Sequence, residues 1–146
     1  METSRDFEEF FASLSATDVR YVVVGAYAFA MHARPRYTGD LDVLVVPTPD
    51  NALRVLKALE RFGVGDLKIT VEDLTTPARI IQIGYPPLRI DLLTSIDGVA
   101  AEEAWRSRVE GRYGKERVWF LSKAHLIANK KAVGRPKDLE DLKDLE

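Results

Sequence analysis

Apolar residues recur at helical spacing near the start of the chain, where Phe7, Phe10, Phe11 and Leu14 form one stripe and predict an amphipathic packing helix ending near Ser15. The period then changes. Tyr21 to Val24 is a β-branched run cut by Gly25, and Ala26 to His32 brings strong helix formers, which predicts strand, tight turn, helix. Leu41 to Val46 predicts a second strand, stopped by Pro47 and Pro49. Asp50 to Phe62 then carries Leu53, Leu56 and Leu59 at helical spacing, with Thr48 or Asp50 as its cap.

Leu67 to Val71, Ile80 to Ile83 and Leu88 to Leu93 predict three further strands. The last two are joined through Gly84-Tyr85-Pro86-Pro87, a hairpin-like turn, so antiparallel pairing there makes the sheet mixed. Ala101 to Val109 predicts a helix and Val118 to Leu121 a short strand; Ser122 then caps a helix running to about Val133, ended by Gly134. After Arg135 and Pro136 the final helix aligns Leu139, Leu142 and Leu145 on one stripe, with its charges on the opposite, solvated face. No internal repeat or low-complexity linker interrupts this order. The expected architecture is α/β (α+β), a mixed sheet flanked by helices with a helical C-terminal end, in one domain over residues 1–146.

Composition narrows the chemistry. A hydrophobic share of 46% and a charged share of 30% match an ordinary globular core. With no cysteine, disulfides, iron-sulfur clusters and thiolate zinc sites are excluded, and any metal must rest on carboxylates or on His32 and His125, which read as structural. The opening METSRDFEEFFASL has acids where an export signal needs a basic region, and the apolar run from Tyr21 to Met31 is shorter than the roughly 20 residues of a membrane span. A soluble cytoplasmic protein is expected, with no membrane partner. Net charge is only -2, yet between Trp105 and Lys137 ten Lys and Arg residues face just Glu110 and Glu116, a stretch suited either to a polyanion or to plain solvation of several helices.

Asp40-Leu41-Asp42 opens the second strand, so both carboxylates point to one face and Leu41 and Val43 to the other. Two anions this close repel and ask for a cation, and Mg2+ or Mn2+ suits them: magnesium takes hard oxygen ligands, one or two of them carboxylates, with water and substrate phosphates for the rest. Asp91 repeats the pattern inside Arg89-Ile90-Asp91-Leu92. If the strands are neighbours it can complete a triad and accept the proton of an attacking hydroxyl; the plainer expectation is an ion pair with a nearby arginine. Gly25, where strand turns into helix, leaves backbone N–H groups and the positive helix end free for phosphate oxygens.

Val24-Gly25-Ala26-Tyr27-Ala28, followed by His32, Arg36, Thr38 and Asp40-Leu41-Asp42, resembles the signature of the nucleotidyltransferase superfamily. More narrowly, the chain is similar to the AbiEii-like nucleotidyltransferases of bacterial toxin and antitoxin systems. Leu126-Ile127-Ala128-Asn129-Lys130 and Gly134-Arg135-Pro136-Lys137-Asp138-Leu139 with Asp141-Leu142 resemble that group's closing motif. The resemblance implies that Gly25 shapes a phosphate-binding turn, Asp40 and Asp42 ligate metal, Asp91 is the third carboxylate, Lys130 reaches the triphosphate, and Arg36 and Thr38 support the pocket. Ala26 departs from the pattern, which has a second glycine or a serine there. The implied activity is transfer of a nucleoside monophosphate from a nucleoside triphosphate such as ATP to an acceptor hydroxyl of transfer RNA, a partner protein or a small molecule, with a cognate toxin or antitoxin as a further partner. The rival expectations are a non-catalytic module that keeps the fold and binds a nucleotide or a protein, and a plain RNA-binding domain using the basic segment.

Overall fold

A computed structural model describes residues 3–85 and 87–146. Among them one six-stranded mixed sheet is flanked by seven helices, as expected. Helix α1 (Arg5–Ala16) starts at Ser4, whose hydroxyl accepts from the Phe7 N–H, and it buries Phe7, Phe10, Phe11 and Leu14. Strand β1 (Tyr21–Val24) passes directly into α2 (Gly25–His32), and a loop leads to β2 (Asp40–Val45). Helix α3 (Pro49–Phe62) is capped by Thr48, which accepts from the Asn51 N–H, with Pro49 in its first turn and Gly63 in the left-handed region at its end. The remaining elements are α4 (Val71–Thr75), β3 (Ile80–Tyr85), β4 (Leu88–Leu93), α5 (Ala101–Arg106), β5 (Val109–Tyr113), β6 (Glu116–Phe120), α6 (Lys123–Val133) and α7 (Pro136–Leu145).

The strands lie in the order β3-β4-β2-β1-β6-β5. Strand β1 runs antiparallel to β2 and parallel to β6, while β2 runs parallel to β4. Two hairpins close the edges, β3 with β4 and β5 with β6. Burial is greatest in the middle: all four residues of β1 are buried, and Leu41, Val43, Leu44 and Val45 of β2 join them in the core.

Four expectations are corrected. Leu67 to Val71 is not a strand: a short 3-10 turn covers Gly65–Leu67, Lys68 takes a left-handed φ of 59°, and α4 begins at Val71. The cause is a capping box, in which Thr70 Oγ1 accepts from the Asp73 N–H at 3.1 Å and the Asp73 carboxylate from the Thr70 N–H at 3.0 Å. The helix from Ala101 stops at Arg106, and Val109 instead begins β5, whose turn into β6 uses Gly114 at a φ of 58°. In α3 the buried face is Asn51, Ala52, Val55, Ala58 and Leu59, leaving Leu53 exposed, because the Asn51 amide fixes the helix rotation by donating to the carbonyls of Val46 and Arg20. In α7, Leu142 and Leu145 are buried but Leu139 is exposed; Asp138 and Asp141 take the inward positions to meet a buried lysine. Pro86, within the predicted hairpin turn, lies outside the described residues, as do Met1 and Glu2.

Candidate functional site

The strand register assembles the carboxylates. Across the parallel β2–β4 pair Asp40 stands opposite Arg89 and Asp42 opposite Asp91, so these four side chains share a face while Leu41, Val43, Ile90 and Leu92 fill the core on the other. On its other side Asp42 is paired with Val24, the residue before Gly25. The three predicted carboxylates and the predicted phosphate turn therefore meet at one end of β1 and β2.

Gly25 is required there twice over. Its φ of +64° lies in the left-handed region, and a Cβ at this position would collide with Asp42 Oδ2 and come within 3.3 Å of the Asp42 Cβ and Cγ. The α2 N-terminus is thus pressed against the Asp42 carboxylate. No side chain caps that helix, whose first residues Gly25 and Ala26 are half-buried, so its leading N–H groups are left for an external acceptor.

Arg89, which the sequence reading did not name as part of the site, forms the ion pair expected for Asp91. Its Nε and Nη2 donate to Asp91 Oδ1 and Oδ2 at 2.9 and 3.1 Å, and Nη2 also donates to Asp40 Oδ2 at 3.2 Å. Its place was signalled by the alternation Arg89-Ile90-Asp91, which puts the arginine on the carboxylate face. None of these bonds goes to Asp42. Burial first, and then the charges of Asp91 and Asp40, push the Asp42 carboxyl up to about 6 against the opposing pull of Arg89 and Lys137.

Among the described residues no group of three or more His, Asp or Glu side chains stands ready-made around a metal position. The donor chemistry nevertheless fits a hard divalent cation: every candidate ligand is a carboxylate oxygen, and Asp42 carries the raised proton affinity of an anion lacking its counter-charge. Arg89 supplies that counter-charge to the other two, at 3.2 Å from Asp40 and 2.9 Å from Asp91.

Arg36 and Lys130 are brought together as a second cluster. Lys130 Nζ is buried, donates to Asp141 Oδ2 at 2.8 Å and lies 3.6 Å from Asp138 Oδ1. Arg36 grips the same Asp141 with both terminal nitrogens and stacks 3.9 Å over the Phe29 ring. Burial alone would raise the Asp141 carboxyl, but the bonds from Arg36 and Lys130 outweigh it and hold it below the usual range. Asp138 is likewise held low, chiefly by its bond from Arg135. The exposed Lys137, one residue before Asp138, is the cation of α7 whose field reaches Asp42. It stood within the quoted closing motif and was given no role.

Thr38 lies between the clusters: the Asp40 N–H donates to its Oγ1 at 3.3 Å, and its carbonyl accepts from the Tyr27 hydroxyl at 3.3 Å. Beside it opens a cavity of about 620 Å3 lined by Tyr27, Arg36, Tyr37, Thr38 and Leu88 among others. His32 is a strut, its Nε2–H donating to the Leu121 carbonyl at 2.7 Å and so tying α2 to the end of β6. The basic residues between Trp105 and Lys137 are distributed over α5, β5, β6, α6, α7 and the segments joining them, and several are engaged: Arg106 with Glu103, Arg112 with the Lys115 carbonyl, Lys131 with Glu146. No helix among the described residues is long and apolar enough to cross a membrane.

The family model described as "Nucleotidyltransferase of unknown function (DUF6036)" matches residues 5–146. No curated protein matches the chain.

Proposed function

This chain belongs to that nucleotidyltransferase family, and from that membership we propose that it moves a nucleoside monophosphate from a nucleoside triphosphate to an acceptor hydroxyl, using Mg2+ or Mn2+ held by Asp40, Asp42 and Asp91. The observation that carries the reading is the placement of Asp42 directly across from Asp91 and against Gly25, which aims carboxylates and an uncapped helix N-terminus at the same point. A divalent cation bound there would neutralise the phosphates and polarise the phosphorus under attack.

The protein's own groups do the rest. N–H groups of Gly25 and Ala26 receive phosphate oxygens, and the exposed Lys137 adds a positive contact. Asp91 takes the proton of the acceptor hydroxyl as that oxygen bonds to the α-phosphorus and the bridging oxygen leaves with pyrophosphate. Arg89 fixes the plane of the Asp91 carboxylate beforehand. Lys130, committed to Asp141, acts on the triphosphate through its field and by holding α7 in place. Arg36 and Thr38 border the cavity that receives the nucleotide base or the acceptor.

Incubation with α-labelled triphosphates, Mg2+ and a cell extract tests the reading. Label should pass to an RNA, a protein or a small molecule with wild type and not with Asp42→Asn; absence of transfer from every triphosphate would sink it. The sequence resemblance to AbiEii-like enzymes adds the proposal of a cognate toxin or antitoxin partner, read by co-purification from the native host. A second reading, a non-catalytic nucleotide-binding module, is favoured by one observation: Arg89 already pairs with Asp40 and Asp91. It predicts triphosphate binding without transfer.

A further inference from the structure

At the opposite end of β1 from Gly25, arginine and tryptophan side chains alternate in space. Arg20 lies 5.9 Å over the Trp105 ring, Arg108 is held between Trp105 at 3.6 Å and Trp119 at 4.5 Å, and Arg117 lies 4.8 Å over Trp119. The two indoles meet edge to face with centroids 6.3 Å apart. With Arg54 of α3 these residues line a cavity of about 300 Å3.

The charge in this cavity is only partly compensated. Asp18 is the one carboxylate on its lining, and among the described residues none of Arg20, Arg54, Arg108 and Arg117 forms an ion pair. Arg108 Nη1 donates to the Trp105 carbonyl at 2.9 Å, but its Nε is buried without a hydrogen-bond partner. A buried donor left unpaired costs about 1 to 3 kcal/mol, and stacking on the indoles satisfies none of its N–H groups. The tryptophans orient the guanidiniums, and no ion pair among the described residues engages them, so their outward N–H groups are open to an entering anion.

We propose that this arginine and tryptophan cleft is a second ligand site, separate from the carboxylate site, that takes a phosphate group. A phosphate monoester near neutral pH carries roughly two negative charges and three strong acceptor oxygens, enough for several planar forks at once, whereas a lone carboxylate offers two oxygens and one charge. Burial, and then repulsion from Arg20 and Arg117, already lowers the proton affinity of Arg108, a conflict that a bound dianion relieves. The phosphate can be the terminal monoester of a nucleic-acid strand or of a small phosphorylated molecule, since both present the same three oxygens.

The chain's two tryptophans both lie in the cleft, so its intrinsic fluorescence reads occupancy directly. The full-length protein would be titrated with inorganic phosphate, with citrate, and with an oligoribonucleotide bearing or lacking a 5′-phosphate. A saturable emission change is expected with phosphate and with the 5′-phosphorylated strand, weakened by about tenfold or more in Arg20→Gln/Arg117→Gln, two exposed positions, and unaltered in Asp42→Asn. Response to the phosphorylated strand and to free phosphate, but not to the strand lacking the 5′-phosphate, assigns the site to a terminal monoester; equal response to both strands, whose shared phosphates are singly charged diesters, would overturn it. No emission change with any phosphate probe, equal affinity in the double variant, or citrate binding as tightly as phosphate would overturn the proposal. None of these outcomes depends on nucleotidyl transfer.

Discussion

Asp42 faces Asp91 across adjacent parallel strands, and Asp42 is the partner that Arg89 does not reach. The cost of that arrangement depends on pH. The Asp42 carboxyl titrates at about 6 in the folded chain against 3.8 for the free group, so between these values the native state holds more protons than the unfolded one and stability falls as pH rises. The penalty is complete above about pH 6 and absent below the unfolded value. Two units correspond to about 3 kcal/mol at most, and solvent at this half-buried group reduces it to about 1 to 2 kcal/mol. Asp42→Asn should therefore melt a few degrees higher than wild type in metal-free buffer at about pH 7.5, and the gain should vanish near pH 4. Thermal melts across that range check it; an Asn variant that is less stable at neutral pH would contradict the assigned repulsion.

Lys130 and Lys137 should separate cleanly. Lys130→Ala leaves Asp141 and Asp138 buried with fewer counter-charges and should cost about 3 kcal/mol of stability. Lys137→Ala is exposed and should leave the melting temperature unchanged while weakening triphosphate binding about tenfold. Denaturant unfolding and calorimetry with a triphosphate measure the two effects; loss of binding without loss of stability in Lys130→Ala would reverse the roles.

Gly25→Ala should be severe, because left-handed backbone and collision with Asp42 act together. A loss of about 2 kcal/mol or more is expected, along with triphosphate binding. Ala26→Gly and Ala26→Ser, by contrast, should bind triphosphate at least as well as the parent, since the first turn of α2 accepts either. A drop in affinity for both would show that this turn does not hold phosphate.

At the proposed metal site Arg89 and a divalent cation would compete for Asp40 and Asp91. Mg2+ or Mn2+ should raise the melting temperature of wild type, and Asp40→Asn/Asp42→Asn should abolish the rise. Arg89→Gln should lower stability without metal, by stranding the buried Asp91, yet tighten Mn2+ binding by removing the resident cation. Isothermal titration reads the second effect. Weaker Mn2+ binding in Arg89→Gln would mean that the arginine supports the cation rather than displacing it.

The carboxylate triad was legible because alternation along a strand is fixed by backbone geometry: Asp40, Asp42 and Asp91 needed only neighbouring strands to meet. Gly25 was legible for a related reason, standing where the period changes from two to 3.6. The failures have a common origin in polar groups that are buried. Asp138 and Asp141 read as solvated because carboxylates usually are, and only the fold shows Lys130 and Arg36 waiting for them. The Thr70 and Asp73 box, a local signal, was present in the sequence but lost beside the apolar residues around it. Strand β5 was hidden because Glu110, Gly111 and Arg112 have low β propensity, and its partner β6 supplies the pairing.

The attachment of α7 through Asp138 and Asp141 makes the C-terminal end an acid-labile latch. Both carboxyls are held below their ordinary range, so their contribution is complete above the unfolded value of 3.8 and is lost as pH falls through the lower folded ones. Protonated, they no longer bind Lys130, Arg36 and Arg135, and α7 keeps only Leu142 and Leu145 as apolar anchors. The last helix should then fray before the sheet does, carrying Lys137 away from Asp42. Hydrogen exchange at pH values below 3.8 would show it as the first segment to lose protection while the carboxylate strands remain folded.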